Sequence, residues 1–371
     1  MAGNDFFAPV LAKRAPLCFR VLTPFMNSLL PFSTLTNFRV LAFLSNVISI
    51  YLMVLILGKF DFQPISRIFG TLLYAGSFWT LKFSFYSPAY IDYQTQLLLL
   101  LIIYLTLRRA YVVLPFVFII AVLQKESLIA YSVFCVIHIM RRSMIPRIWV
   151  RIVLALAILL LPLVTYFVVR LFIDAQNSHS PTVIVDHFRR AMAPRYWPIL
   201  LQAIFSGPGI IPVILLINYG SWVRFIREHW EWSIYAIVSV VLLFGGYDKA
   251  RLFLYSLPVV TIFAVCTLEE LKQCVSPRVF VVWGCTVLIV HWYIGGYLTP
   301  LGPVVDYLAR MVPEHSDGRY MPYLLHNLCF GLAVFVFTIQ FIFGGWYFSP
   351  TIGFTRRDKA QHAESQKCWY N

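Results

Sequence analysis

The sequence predicts an all-α fold, a polytopic bundle of membrane-spanning helices. Of the 371 residues, 60% are hydrophobic and only 12% are charged, and the mean hydropathy is +0.76. A chain of this composition has too little polar surface to cover a water-soluble globule. Apolar runs separated by short basic turns continue from about residue 38 to about residue 347. We therefore expect one integral domain over 1–371, with an outer segment at 1–37, a bundle at 38–347 and a cytoplasmic tail at 348–371.

Individual helices follow from apolar runs of about 17 to 25 residues, with shorter runs allowed inside a bundle. The scan predicts about eleven spans. They are 38–57, 65–81, 93–107, 111–124, 127–140, 149–173, 199–219, 232–247, 251–268, 278–294 and 327–347. Prolines and glycines interrupt "PLCFRVLTPF" and "FSGPGIIPV", which indicates helices broken around a polar interior.

Short basic turns set the orientation. The turns are "LRRA", "MRRSMIPRIWVR", "SWVRFIREHW" and "LEELKQCVSPR", together with the tail "TRRDKAQ". They fall on one side if the spans alternate, and the positive-inside rule makes that side cytoplasmic. The start of the chain lacks a charged segment followed by an apolar run, so no cleavable signal is visible. Alternation places this N-terminal segment outside, where either it lies along the surface or an original first helix is absent.

The charge distribution argues against nucleic-acid binding, and the cysteine pattern argues against thiols that act as ligands or reactive groups. The net charge of +14 is spread over turns between spans, so it indicates topology signals and phosphate contacts and not nucleic-acid binding. The seven cysteines form no CxxC pair, and most lie in or beside apolar runs, which is typical of packing thiols.

Alternation also gathers several ionisable residues at the outer side. Such residues cost several kcal/mol each inside a bundle unless they are paired or hydrated, so they are functional candidates. Asp92 begins a span, and it is either a helix-terminal residue stabilised by the helix dipole or a carboxylate in a polar cavity, as metal ligand or base. Adjacent Lys125 and Glu126 project about 100° apart on a helix. They either hold a phosphate and orient a neighbour, or form a structural ion pair.

Asp248 and Arg251 in "GGYDKARLFLYSLP" lie three residues apart and share a helical face. Arg251 is expected to grip a phosphate bidentately while Asp248 holds it in place. The alternative is an interfacial arginine with a local salt bridge.

The loop before residue 198 offers no dependable metal-ligand spacing. We interpret His179, Asp186 and His187 as ordinary loop residues. The basic and aromatic residues from Phe188 to Trp197 are typical of a segment that contacts anionic lipid headgroups.

The order of motifs resembles that of polytopic GT-C-type glycosyltransferases and their bacterial relatives. The motifs are "FRVLTPFM", "SPAYIDYQTQLLLLLIIYL", "FIIAVLQKESLIAYSVF" and "GGYDKARLFLYSLPVV", within about residues 17–265. The resemblance implies a GT-C-like fold in a bacterial cytoplasmic membrane. It also implies transfer of a sugar from a polyprenyl-phosphate donor to an acceptor on the outer face.

The resemblance also suggests roles for single residues. Asp92 matches an acidic position near the donor phosphate or a metal, and Lys125 with Glu126 matches a basic-acidic pair beside it. Arg251 matches a phosphate contact, and Arg20 matches an arginine after the first outer loop. The family normally carries a catalytic Asp or Glu in a loop after a first helix, and here only Asp5 is available for that position.

The leading hypothesis is therefore a membrane glycosyltransferase whose partners are a polyprenyl-phosphate-linked sugar and membrane lipids, without nucleic acid. A lipid or solute transporter or flippase, and a non-catalytic membrane subunit, are the alternatives. Cofactor use is left open, with a divalent metal at Asp92 as the candidate, and oligomeric state is not predicted.

Overall fold

The computed structural model describes residues 20–77, 80, 90–173, 189, 207–244 and 252–297, with side chains as far as residue 292. All of them belong to Met1–Gly331, the first of two units into which the chain divides. Regular structure in this part of the chain is entirely helical, with twelve α-helices, three short 3-10 turns and no strand. The all-α prediction is confirmed for the residues described.

The α-helices are numbered here in chain order. They are α1 (Leu22–Ser28), α2 (Thr34–Leu57), α3 (Pro64–Gly76), α4 (Asp92–Leu107), α5 (Leu114–Gln124), α6 (Ser132–Arg142), α7 (Ile148–Phe172), α8 (Ile211–Ile217), α9 (Tyr219–Glu228), α10 (Glu231–Phe244), α11 (Leu257–Cys274) and α12 (Pro277–Tyr297). The 3-10 turns are Gly58–Phe60, Glu126–Tyr131 and Phe253–Tyr255.

Most predicted spans coincide with helices to within a few residues. Two begin later than predicted, because 127–140 opens with a 3-10 turn and 251–268 with another. The prediction of one helix over 199–219 is wrong: α8 covers only Ile211–Ile217, and the backbone of Asn218 leaves the helical region before α9. Gly209 with φ +60° lies in the turn before α8, where a continuous helix is excluded. The predicted span 327–347 lies outside the described residues.

Within the described ranges, two helices are long and apolar enough to cross a membrane: Thr34–Phe60, which is α2 with its 3-10 turn, and α7. The apolar window of α7 has a mean hydropathy of 2.9, yet only 17% of it is buried inside the protein. Leu160, Val164 and Phe167 are among its exposed side chains. A helix that presents large apolar residues outward along its length needs an apolar environment or a partner.

Close packing joins helices that are not consecutive in the chain. α2 packs against α4, α5 against α7, and α3 against α11. An aromatic cluster joins α6 to α10, with ring centroids 5.1 Å apart for Phe134 and Trp232 and 4.8 Å apart for Tyr131 and Tyr235. All four of these rings are buried. This contact fixes the position of α10 against the rest of the bundle. It thereby helps to position the 3-10 turn Phe253–Tyr255, the next described element.

The predicted cytoplasmic turns gather at one end of the helices, which we call the basic end. Arg141 at the end of α6 pairs with Glu231 at the start of α10. Phe60, after α2, contacts the ring of Trp232 at 5.5 Å. The Glu269 carboxylate, near the end of α11, accepts a hydrogen bond from the backbone amide of Gln63 at 2.6 Å. The starts of α4 and α11 and the end of α5 lie at the opposite end.

Candidate functional site

Asp92 and Lys125 form a buried ion pair at that opposite end. Lys125 Nζ donates to Asp92 Oδ1 at 2.9 Å, and each side chain is 5% exposed. Asp92 is the first residue of α4, and the cap position before it is Ile91, which makes no side-chain cap bond. The Asp92 carboxylate therefore contacts a cation from the segment that follows α5, beyond any interaction with its own helix end.

Lys125 occupies the single extended residue between α5 and the Glu126–Tyr131 turn, with φ −161° and ψ 120°. The prediction that Lys125 and Glu126 project about 100° apart on one helix is wrong, because the helix ends at Gln124. An extended residue turns successive side chains toward opposite sides. Lys125 accordingly reaches Asp92, while Glu126 reaches Arg20.

The second ion pair joins Arg20 to Glu126. Arg20 Nη2 donates to Glu126 Oε1 at 3.3 Å, with side chains 14% and 25% exposed. Burial alone would raise the pKa of Glu126, but the Arg20 guanidinium, a backbone hydrogen bond and the Lys125 ammonium together hold that pKa below its usual value. Glu126 is therefore ionised at neutral pH, and the two pairs place two cations and two anions side by side.

Gln124 fastens the N-terminal segment to this site. Its amide oxygen accepts from the Thr23 hydroxyl at 2.8 Å, and its amide nitrogen donates to the Ile91 carbonyl at 2.8 Å. The side chain is fully buried and uses both ends of its amide. This one residue therefore ties α1, the start of α4 and the end of α5 together.

Tyr255 brings a distant part of the chain to Lys125. The Lys125 ammonium lies 5.0 Å from the centroid of the Tyr255 ring, and Ser127 Oγ lies 3.0 Å from its hydroxyl. The Tyr235 hydroxyl of α10 donates to the Tyr255 carbonyl at 2.8 Å and holds the turn in place. Sequence reasoning missed Tyr255, although it lies four residues after the predicted phosphate contact Arg251.

The structure thus brings together four of the predicted site residues: Arg20, Asp92, Lys125 and Glu126. The other three, Asp5, Asp248 and Arg251, lie outside the described residues, as do His179, Asp186 and His187. That Arg251 joins the same site stays a prediction.

A metal at Asp92 finds no support in the residues present. Within the described ranges, no group of three or more His, Cys, Asp or Glu side chains is placed to hold an ion. Asp92 instead directs one carboxylate oxygen at an ammonium group. The four cysteines described, Cys135, Cys266, Cys274 and Cys285, are free thiols.

A second charged cluster surrounds Glu231 at the basic end. The Glu231 carboxylate is 1% exposed and pairs with Arg141 and with Arg142, the latter at 3.2 Å. Burial alone would raise the pKa of Glu231, but His229, a backbone hydrogen bond and the two arginines lower it to about 2. This cluster locks α6 to the α9–α10 junction, and its groups are occupied by one another.

No protein-family model, curated protein or solved structure matches this chain.

Proposed function

We propose that the chain is a multi-pass helical protein of a bacterial cytoplasmic membrane. The exposed apolar length of α7 supports this proposal, because such a surface is stable in lipid and not in water. The separation of charge into two clusters at opposite ends, with apolar helices between them, supports it too. The basic end would face the cytoplasm and the Asp92–Lys125 site the outside.

We further propose that this membrane protein is a glycosyltransferase that uses a polyprenyl-phosphate-linked sugar. In the reaction an acceptor hydroxyl oxygen bonds to the anomeric carbon, and the bond from that carbon to the phosphate oxygen breaks. A carboxylate takes the hydroxyl proton, and the polyprenyl phosphate leaves with the electron pair of the broken bond. Cations aimed at the phosphate stabilise the charge that develops on it.

One observation carries the proposal: two cations and two carboxylates from three separate segments converge at the predicted outer end. Lys125 and Arg20 supply positive charge for the phosphate. Asp92 and Glu126 orient them, because each carboxylate bonds its cation directly. The Tyr255 ring lines one side of the site and makes a cation–π contact with the Lys125 ammonium. Asp92 is the base candidate among the described residues, and Asp5 is the candidate in the N-terminal segment.

A non-catalytic lipid-binding subunit is the second candidate. It is favoured by the same ion pairs, since Asp92 and Glu126 both bond a cation as a structural pair would. Such a protein would bind the lipid phosphate without transferring the sugar.

The test is a transfer assay on protein purified in nanodiscs, with polyprenyl-phosphate hexoses as donors and product read by mass spectrometry. We expect turnover by the unaltered chain and its near loss in Asp92→Asn and Lys125→Met. Arg251→Lys keeps the charge but loses the bidentate geometry, so it should weaken donor use. The matched control is Arg224→Met, which removes a half-exposed arginine paired with Glu270 at the basic end. Donor binding without turnover in the unaltered chain would favour the non-catalytic subunit, and absence of both would refute the site.

A further inference from the structure

Five buried polar side chains lie on α2, α3 and α4, and we call this set the polar layer. Its members are Asn46, Ser49, Thr71, Tyr74 and Gln96, and each is more than nine-tenths buried. The Tyr74 hydroxyl approaches the side chains of Ser49 and Gln96. Asn46 lies three residues before Ser49, and Thr71 three before Tyr74, so each shares a helical face with its neighbour. The layer therefore faces inward from three helices.

These side chains come close without satisfying one another. Both amide atoms of Gln96, the Tyr74 and Ser49 hydroxyls, Thr71 Oγ1 and Asn46 Nδ2 complete no hydrogen bond of normal geometry among the described residues. Native proteins pair the large majority of buried polar atoms. The contacts of the Tyr74 hydroxyl with Ser49 and Gln96 leave donor and acceptor positions in this set that a ligand can fill.

Several buried polar groups elsewhere in the same bundle are fully paired. Gln124 uses both ends of its amide, and Thr106 donates to the Ile102 carbonyl at 2.7 Å. Ser239 likewise donates to the Tyr235 carbonyl at 3.0 Å. Other buried polar atoms of the described residues also lack a partner, among them both amide atoms of Gln94, Ser66 Oγ and Thr261 Oγ1. The atoms of the polar layer are set apart by their place, because α2 packs against both α3 and α4.

The polar layer adjoins the ion-pair site. Gln96 lies four residues after Asp92 on α4 and shares its helical face, about 6 Å further into the bundle. A ligand whose phosphate contacts Lys125 would place the group attached to that phosphate beside Gln96 and Tyr74.

We propose that the polar layer binds the sugar ring of the polyprenyl-phosphate donor. A sugar is neutral and carries several hydroxyls, each of which donates and accepts, and this matches a layer of amides and hydroxyls without a charged member. A lipid tail would leave the polar atoms unsatisfied, and an ion would lack a counter-charge. The Tyr74 ring adds an apolar face of the kind that packs against a sugar. This inference rests on the proposed function, since the phosphate at Lys125 is what brings the sugar to this depth.

Two probes separate the sugar from the phosphate. Binding of undecaprenyl phosphate and of undecaprenyl-phosphate glucose, mannose, galactose or N-acetylglucosamine is measured by thermophoresis in nanodiscs. We expect at least one sugar-linked lipid to bind more tightly than undecaprenyl phosphate. Gln96→Leu and Ser49→Ala should each reduce that advantage by about ten-fold, the value of one net hydrogen bond, and should leave undecaprenyl phosphate binding unchanged. Ser239→Ala is the matched control and should leave the advantage intact.

Thermal unfolding without ligand gives a second readout. Replacing an unsatisfied polar group by an apolar one should leave the melting temperature of Gln96→Leu and Ser49→Ala unchanged or raised, whereas Ser239→Ala should lower it. A lowered melting temperature in both layer variants with the sugar advantage retained would overturn the proposal in favour of a structural layer. Binding of undecaprenyl phosphate with no advantage from any sugar would also overturn it, while leaving the phosphate half of the proposed function standing. Failure of every lipid to bind would overturn both.

Discussion

At Lys125 the backbone leaves the helical conformation for one residue. Because of this break, Lys125 pairs with Asp92 while the next residue, Glu126, pairs with Arg20. The Lys125 side chain is only 5% exposed and reaches from the end of α5 to the start of α4. The sequence indicated that Lys125 and Glu126 are special, because charges between apolar runs are unusual. It did not predict their partners, because "FIIAVLQKESLIAY" favours helix throughout and only the contact with Asp92 accounts for an extended residue there.

A double-mutant cycle tests this ion pair. Lys125→Met leaves Asp92 buried against an apolar side chain, and we expect it to lower the free energy of unfolding by about 3–5 kcal/mol. Asp92→Asn should do the same by stranding the ammonium. The double variant Asp92→Asn with Lys125→Met should recover most of the loss, because no isolated charge remains. Thermal and denaturant unfolding in detergent measure all three, and additive losses would contradict direct pairing.

Among the elements, helices with long apolar runs were predictable and their interruptions were not. α2, α4, α5, α7 and α10 match the predicted spans because each is bounded by polar or turn-forming residues. The sequence did not predict α9. The segment "SWVRFIREHW" is short and basic, so it resembles a turn between spans, although its apolar and basic residues recur at helical spacing. The sequence suggested that "QKES" lies near the segment around "GGYDKAR", and the structure brings Lys125 and Ser127 to Tyr255, just after that motif. The sequence alone could not establish this contact, because it depends on where α10 packs in the bundle.

Close packing of α3 on α11 depends on Gly70. A Cβ at this position would collide with the Val265 side chain. We expect Gly70→Ala to destabilise the fold by about 1–3 kcal/mol through overpacking. Gly220→Ala in α9 is the control, because its Cβ meets only Asn218 Oδ1 at 3.4 Å and alanine favours a helix. Equal melting temperatures for the two variants would argue against this contact.

The junction of α6 with α10 should make stability depend on pH in the acid range. The pKa of Glu231 in the folded chain is about 2, below its ordinary value of 4.5. Its contribution is therefore complete above about pH 4.5 and is lost as the pH falls toward 2. Glu231→Gln should flatten the melting-temperature profile between pH 5 and pH 3, whereas Glu228→Gln, which alters an exposed side chain, should leave it unchanged. A parallel decline in both variants would show that other groups govern acid unfolding.

At the scale of the described bundle, ion pairs concentrate at two ends and apolar side chains face outward between them. α2 exposes Phe43, Val47 and Tyr51 over consecutive turns, and α7 is exposed along most of its length. Composition predicted this arrangement, since a chain with 12% charged residues must expose apolar surface. Which apolar faces pair with one another could not be predicted, because helices that are apolar all round carry no periodic signal.

Cysteine labelling in whole cells tests the orientation. Ser28 in α1 and Ser276 between α11 and α12 are both exposed, and they lie at opposite ends. In a chain whose native cysteines are replaced by serine, Ser28→Cys should react with an impermeant maleimide in intact cells, and Ser276→Cys only after permeabilisation. The reverse pattern would place the Asp92–Lys125 site in the cytoplasm and contradict outer-face transfer.

The spacing of the two ion pairs along the chain has a consequence for synthesis. Asp92, at the start of α4, and Lys125, directly after α5, are 33 residues apart, whereas Arg20 and Glu126 are 106 residues apart. A ribosome that has just released Lys125 has therefore delivered both members of the buried pair, so the two charges can neutralise each other within the α4–α5 hairpin, whose other charges, Arg108 and Arg109, lie in its turn. Arg20 emerges long before its acidic partner and stays at the surface until Glu126 arrives. The more deeply buried charges are thus neutralised by the hairpin itself, and docking of the N-terminal segment completes the site afterwards.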